Sequence, residues 1–495
     1  MQLAVIVLLP ALYAVASAAS CTCSRLNGAS LPAFPHPVRF NATAVDAGEL
    51  HAGQAINNNI TFCRVTGSIS YGPALNNTLR FELWLPNKAA YNGRYLAVGN
   101  GGFAGNIIPQ AMIDPLNNGY AVASGDSGHP TSENGVSESG SYAAFFHDKS
   151  KVLTWMRDSI AMFTEPATAL IAIYYGYRPR KMYYIGCSTG GGQGFALAQH
   201  YPSLFDGIIA SCPANWYTHI MISFLWNALS SANSGAFLPQ DALDLITKSV
   251  LDQCDAHDGQ VDRVLADPSR CNFDIATLQC TPCQAPIVNN KTMCLTKPQV
   301  ENVRKFYKGP ANTVTGQPLY PGLPFGSERA WMGQQNSLYL NFSVPLFQNL
   351  VFNDLDYNYK SFDWSADVDV VDRLAGTLID DISPDLEEFR KAGGKMIVTQ
   401  AWADELLAAQ WPIQHRERLR TVSGDALETF FSLFMIPGAA HCLPSKSYPH
   451  VPAKYDTLDR LVAWVESGEL PRSLIGTEPL DGSDATVTLH PYPRY

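Results

Sequence analysis

The sequence predicts an α/β protein: a mainly parallel sheet with helices on both faces, split by one long insertion. Three observations lead there. Short apolar strands alternate with helical stretches up to about residue 224 and again from about residue 373, and such alternation is how a parallel sheet is built. Between 225 and 372 the alternation stops, and the chain turns rich in Cys, Pro and Gly. Hydrophobic residues make up 46% of the 495, enough for a large core. Residues 19–224 and 373–495 are expected to form one sheet-bearing domain, and residues 225–372 a lid inserted into it.

Residues 1–18 are an apolar run closing on Ala16-Ser17-Ala18, the small-x-small pattern that signal peptidase cuts after. A signal peptide is expected there, although no positive charge opens it. Arg80 to Pro86 alternates like a half-buried strand. Gly93 to Val98 is a second strand, running into the glycine-rich turn 99–105. Gly119 to Ser124 is a third, ending at Gly125-Asp126-Ser127-Gly128-His129. A helix over 161–175 precedes a strand from Lys181 to Ile185, and another helix covers 191–200. Past the insertion come a helix over 385–392 and strands over 393–399 and 431–436. An amphipathic helix over 457–466 turns its Leu, Val and Trp residues inward.

Charged residues reach only 16%, against roughly 25% in typical globular proteins. The net charge of -10 and the lack of a Lys/Arg cluster argue against nucleic acid, whose partners carry a basic stripe. Beyond the leader no apolar stretch reaches the roughly 20 residues that span a bilayer, so no membrane partner is expected. In a secreted chain the eleven cysteines read as disulfides before metal ligands, with one thiol left over. Sequons at Asn41, Asn59, Asn76, Asn290 and Asn341 fit an extracellular glycoprotein.

The sharpest motif is Gly186-Cys187-Ser188-Thr189-Gly190, a G-x-S-x-G between an apolar strand and a helix. Small neighbours let the strand turn abruptly into the helix and hold the serine hydroxyl out at the sheet edge, as in the α/β-hydrolase fold. A serine needs an adjacent base held by a carboxylate, and this fold orders them Ser, acid, His. His441, in the turn after the 431–436 strand, is the expected base; His415 sits in a helix, and His450 and His490 in Pro-rich loops. Asp404 ends the preceding strand and is the expected acid, with Glu405 its rival; Asp380 and Asp381 read as solvated charges. Oxyanion donors are expected from the amide of Thr189 and from Gly101 or Gly102. Cys187 precedes the nucleophile and Cys442 follows the base. If the two catalytic residues meet, these neighbours come within disulfide reach, about 5.5–6 Å between Cα atoms.

With these motifs the chain resembles the tannase and feruloyl esterase family over nearly its full length. The likeness includes Gly186 to Gly191, Pro202 through Asp206-Gly207-Ile208, Gly326-Ser327-Glu328, Gly393-Gly394-Lys395, Ala403-Asp404 and Pro437-Gly438 with His441-Cys442. The resemblance implies the triad Ser188, Asp404 and His441 and the Cys187–Cys442 bridge. Gly192, Gln400-Ala401 and Leu443-Pro444-Ser445 depart from the family pattern and bear on substrate choice rather than on the triad. The family also places calcium in the lid, and residues 255–264 suit it. Hard Ca²⁺ takes carboxylate and carbonyl oxygens around a glycine turn. Asp255, Asp258 and Asp262 would give carboxylates, and Gln260 and Val264 carbonyls; the plain alternative is a solvated acidic turn. Expected lid bridges are Cys254–Cys271 and Cys280–Cys294, with Cys283 an alternative to Cys280. Cys63 is expected to join Cys21 or Cys23, leaving Cys212 as a buried free thiol.

The implied activity is hydrolysis of phenolic acid esters, small or attached to polysaccharide, with feruloyl groups on plant cell-wall polysaccharide ahead of the galloyl groups of tannins. Glu328 and Trp331 would either grip the phenolic ring or fill the lid core. A binding protein on the same fold is the alternative, because a fold alone does not set activity. A metallohydrolase built on the acidic loop is excluded by its lack of nitrogen or sulfur ligands around an open position.

Overall fold

The computed structural model describes residues 23–51, 55–135, 139–288 and 291–493; the expected leader, Cys21 and Asn290 lie outside them. Nine strands form the main sheet: β1 (Val38–Val45), β2 (Phe62–Tyr71), β3 (Asn77–Pro86), β4 (Arg94–Val98), β5 (Ala121–Gly125), β6 (Lys181–Cys187), β7 (Gly207–Ser211), β8 (Lys395–Ala401) and β9 (Phe431–Ile436). Their order is β1-β2-β3-β5-β4-β6-β7-β8-β9. The β1–β2, β2–β3 and β3–β5 pairs are antiparallel, and every pair beyond them is parallel. The local sequences explain the division. β5 and β9 are buried at every residue, as strands covered on both faces must be, whereas β1 exposes alternate side chains at the sheet edge.

The covering helices are α1 (Pro109–Asn117), α2 (Ser159–Tyr175) and α3 (Thr189–His200). Then come α4 (Tyr217–Ser231), α5 (Gln240–Cys254) and α6 (Lys297–Lys308), and finally α7 (Gln410–Ser423) and α8 (Thr457–Ser467). Phe163 and Leu170 of α2, Phe195 of α3 and Leu419 of α7 close one face of the sheet. Met112 and Leu116 of α1 with Leu461 and Trp464 of α8 close the other. This is the α/β-hydrolase architecture.

Residues 212–394, between β7 and β8, give no strand to the main sheet. Part of this segment has its own core, where Ile246 of α5, Phe306 of α6 and Trp331 pack together. The part nearer the sheet shares a core with it: Ile220 and Leu225 of α4 pack with Phe103, Phe145 and Trp155. α4 runs unbroken through residue 225, and a helical run from Ala366 to Ile379 passes through residue 372. Its two ends are clipped by an antiparallel bridge between Trp216 and Asp380. Disulfides join Cys254 to Cys271 and Cys280 to Cys294 in this segment, and Cys23 to Cys63 at the edge of the sheet. Cys280, not Cys283, is the partner of Cys294, and among the described residues Cys283 is exposed and in no disulfide. No helix among the described residues is long and apolar enough to cross a membrane.

Candidate active site

β6 stops at Cys187 and α3 starts at Thr189, leaving Ser188 alone in the turn with φ 61° and ψ -122°. A side chain at positive φ costs about 1–3 kcal/mol and persists only where its surroundings enforce it. The enforcement is visible. The Ser188 amide donates to the Ser211 carbonyl at 3.0 Å, and the Ser188 carbonyl accepts from Gly192 at 3.0 Å and Ala214 at 2.9 Å. The glycines are required sterically: a Cβ on Gly186 would lie 2.4 Å from the Gly190 carbonyl oxygen, and one on Gly190 would lie 2.7 Å from that of Asn100. Gly192 is equally constrained, its Cβ position being 2.7 Å from the Ala214 carbonyl oxygen.

Asp404 follows β8 and is 0% exposed. One carboxylate oxygen accepts from the amides of Leu406 and Leu407, both at 2.9 Å; the other accepts from Gln400 Nε2 at 3.0 Å and from His441 Nδ1 at 2.9 Å. A carboxylate only accepts, so Nδ1 carries the proton and Nε2 keeps its lone pair. Nε2 is buried without a partner among the described residues. Glu405 instead accepts from the His441 amide at 3.2 Å, so it braces the loop rather than the ring. Asp380 and Asp381 are not solvated charges, contrary to the sequence expectation. Asp381 is 1% exposed and accepts from His200 at 2.8 Å, while Asp380 accepts from the amide and hydroxyl of Thr218. Asp381 ties the base of the inserted segment to α3 of the sheet domain, and Asp380 joins the segment's two ends. Cys187 and Cys442 are bonded, with Cα atoms 5.8 Å apart; this links the turn that carries Ser188 to the loop that carries His441.

The electrostatics fit a charge-stabilising pair. Burial disfavours the charged imidazole, but the charge and hydrogen bond of Asp404 outweigh it and raise His441 well above its ordinary value. Burial likewise works to raise Asp404, but His441 and the two loop amides hold it below the usual carboxylate range. The glycine turn after β4 sits against the elbow: the Thr189 hydroxyl donates to the Gly102 carbonyl at 2.9 Å, and Trp155 Nε1 donates to it at 3.2 Å. Among the described residues the amides of Thr189, Gly101 and Gly102 donate to no other backbone group, which leaves them free for an oxyanion. Asn100, which the sequence did not single out, locks this turn. Its side chain donates to the Gly125 carbonyl at 2.8 Å and accepts from Ser127, and its amide donates to Gln193.

Ser188 lines a cavity of about 950 Å³ whose walls include Ile108, Ile185, Leu443, Leu458 and Ile475. His441 lines a second, of about 350 Å³, beside Ser327 and Tyr448. Glu328 and Trp331 are both 0% exposed and belong to the core of the inserted segment. Neither presents a surface to a phenolic ring. In the acidic loop the Asp258 and Asp262 side chains cap the amides of Gln260 and Val264, and Asp255 accepts from the Arg263 amide. The second oxygen of Asp255 is buried without a partner among the described residues, and Gly259 turns the chain at φ 91°. An orphaned carboxylate oxygen at a tight acidic turn fits a hard cation.

A mainly parallel sheet, a strained serine turn at a strand end and an Asp–His pair on a loop disulfide-linked to that turn define an α/β-hydrolase. The family model described as tannase and feruloyl esterase matches residues 63–495, and the chain belongs to that family of carboxylic ester hydrolases. An uncharacterized esterase of Xanthomonas campestris pv. campestris is 31% identical over 97% of this chain and 88% of its own. A probable feruloyl esterase B-2 of Aspergillus flavus is 32% identical over 85% of this chain and 81% of its own. Among solved structures, feruloyl esterase B from Aspergillus oryzae matches with a TM-score of 0.84 at 23% identity over 96% of each chain. Tannin acyl hydrolase from Aspergillus niger matches at 0.80 and 22% identity, over 95% of this chain and 92% of that one. At those identities the two structures speak to the fold.

Proposed function

We propose that the protein is a secreted serine esterase of phenolic acid esters, acting on feruloyl groups of plant cell-wall polysaccharide ahead of galloyl groups. The observation that carries the chemistry is the Asp404–His441 hydrogen bond, which leaves a lone pair on Nε2 of a loop that the Cys187–Cys442 bridge ties to the strained Ser188 turn. Ser188 Oγ attacks the ester carbonyl while Nε2 takes its proton. Asp404 stabilises the imidazolium, and the amides of Thr189 and Gly101 or Gly102 receive the developing oxyanion. The imidazolium then protonates the departing alcohol, and water, deprotonated by the same Nε2, resolves the acyl-enzyme.

Feruloyl esters come first because relatives such as the Aspergillus flavus protein carry that name. Secretion is supported by the leader, the disulfides and the exposed sequons at Asn41, Asn59 and Asn76. Calcium would be held by Asp255, Asp258 and Asp262 with the carbonyls of Gln260 and Val264, neutralising the loop and bracing the lid. Hydrolysis of methyl ferulate, methyl caffeate and methyl gallate, compared in wild type and Ser188→Ala, tests the proposal. Ferulate turnover that vanishes in the variant is expected. Turnover of gallate alone would reverse the order of substrates, and undiminished turnover in a folded Ser188→Ala would end the serine mechanism.

A further inference from the structure

Thr189 and Gln193 of α3 stand four residues apart and so share one face of the helix. Both are 1% exposed, and both reach the glycine turn after β4. The Thr189 hydroxyl holds the far end of that turn through the Gly102 carbonyl at 2.9 Å. Gln193 holds the near end. Its Oε1 accepts from the Asn100 amide at 3.0 Å, and its Nε2 donates to the Trp155 carbonyl at 2.6 Å and to Ser127 Oγ at 3.4 Å. A backbone amide only donates and a carbonyl only accepts, so these partners fix which way the Gln193 amide faces. Ser127 donates in turn to Asn100 Oδ1 at 2.6 Å, closing a buried ring of Gln193, Asn100 and Ser127. The backbone here is left-handed at Ala104 (φ 62°) and Ser127 (φ 62°), which side chains keep only where neighbours enforce it. Trp155 joins the two ends of the turn, accepting from Gln193 and donating to Gly102. It lies in a π-helical turn, Thr154–Asp158, a rare geometry that gathers at functional sites.

We propose that Gln193 is a positioning residue for the oxyanion, locking the glycine turn to the helix that follows the nucleophile so that the turn's free amides stand at a set distance from Ser188. The role rests on the proposed function, which supplies the oxyanion. With the Asn100 amide spent on Gln193, the donors left within residues 100–102 are the amides of Gly101 and Gly102. The Gly101 carbonyl accepts from the Ala104 amide at 2.9 Å, and across a planar trans peptide the Gly102 N–H points the opposite way. The approach is close as well as bonded: a Cβ on Gly99 would lie 3.0 Å from Gln193 Oε1, and one on Gly190 would lie 2.7 Å from the Asn100 carbonyl oxygen. Ser188, Asn100 and Gly101 line the same cavity. None of the bonds in this clamp involves Asp404 or His441. It acts on the substrate's carbonyl oxygen and leaves the base alone.

The test uses whichever of methyl ferulate and methyl gallate the wild type turns over, with the trifluoromethyl ketone and the carboxamide of the same acyl group as ligands. On the ketone, Ser188 Oγ bonds to the carbonyl carbon, the carbonyl electron pair moves to oxygen, and the serine proton goes to His441. The adduct therefore carries an oxyanion that the bound carboxamide lacks. Wild type, Gln193→Met, Thr189→Val and Gln335→Met are compared, with melting curves identifying the variants that fold. Gln193→Met, which keeps the length of the side chain without its hydrogen bonds, should lower kcat with KM near wild type. The loss should lie between about 10-fold and the roughly 10²–10³-fold that removing a whole oxyanion donor costs. Ketone affinity should fall by the same factor as kcat/KM while carboxamide affinity holds, and the acid limb of kcat/KM should stay at the wild-type pH. Thr189→Val keeps the amide and should show the same pattern more weakly, because Trp155 still donates to the Gly102 carbonyl; it decides the matter if Gln193→Met does not fold. Gln335, whose buried amide bonds both backbone groups of Leu238 in the inserted segment, is the control, and its Met variant should melt earlier yet keep ketone affinity. A raised KM with unchanged kcat, carboxamide affinity that falls as far as ketone affinity, or an equal loss of ketone affinity in Gln335→Met would overturn the inference alone. A wild type that neither hydrolyses an ester nor binds a ketone would overturn the proposed function and the role of Gln193 with it.

Discussion

Asp404 beside the sheet and Glu328 in the inserted segment are both 0% exposed, yet the protein sets their charge in opposite directions. Asp404 faces an imidazole and is held below the ordinary carboxylate range. Glu328 accepts only from neutral donors, namely the Gly326 amide at 2.9 Å, the Tyr307 hydroxyl at 2.8 Å and the Thr247 hydroxyl at 3.3 Å. Burial then prevails and raises it. Equal desolvation thus gives an anion where charge can be compensated and a carboxyl held towards neutrality where it cannot. One carboxylate holds an imidazole; the other fills a core.

The largest way to sharpen this contrast is to remove the cationic partner. His441→Ala should lower kcat by about 10⁶-fold, measured on methyl ferulate. Asp404→Asn should cost about 10⁴-fold and also move the acid limb of kcat/KM to lower pH. The sign follows from the interaction: activity needs neutral Nε2, and Asp404 raises the imidazole, so its loss lets the ring deprotonate at lower pH. An unmoved limb would show that Asp404 does not govern the base.

Breaking the Cys187–Cys442 bridge with a Cys187→Ala/Cys442→Ala double variant should cost about 2–4 kcal/mol of stability. It should also lower kcat by loosening the link between the nucleophile turn and the base loop, as melting curves run beside rate measurements would show. Glu328→Gln should have the smallest effect, leaving kcat near wild type and changing stability by no more than about 1.5 kcal/mol, the scale of one rearranged hydrogen bond. Its pH dependence carries the information. The folded value of Glu328 lies above the unfolded one, so its stabilisation is complete below the ordinary glutamate range and is lost as pH rises through the raised value. The glutamine variant should lack that decline. A decline that persists in the variant would show that Glu328 is not the raised group.

What the sequence made legible was local. The Gly186-Cys187-Ser188-Thr189-Gly190 turn is a steric requirement written in five neighbouring residues, and His441 stands out by following a strand. The bridge was legible because two cysteines adjoin two catalytic candidates. Other features needed the fold. α1 was hidden because Pro109 and Pro115 break the helical signal, and β1 because its half-exposed edge position dilutes the apolar alternation. Cys212 was readable as a buried thiol, but its place near Asp404 and His441 depends on β7 ending against Thr399 of β8, some 190 residues away in sequence. Composition could not tell Trp331 in the core of the inserted segment from Trp331 at a substrate, since an aromatic serves both.

The most direct measurement is labelling with a fluorophosphonate, which reacts with a serine only when its base is engaged, followed by peptide mass spectrometry. The account predicts one modification, on Ser188, abolished in His441→Ala and slowed in Asp404→Asn. Ester hydrolysis that continues with Ser188 unlabelled, or with the label on another residue, would contradict it.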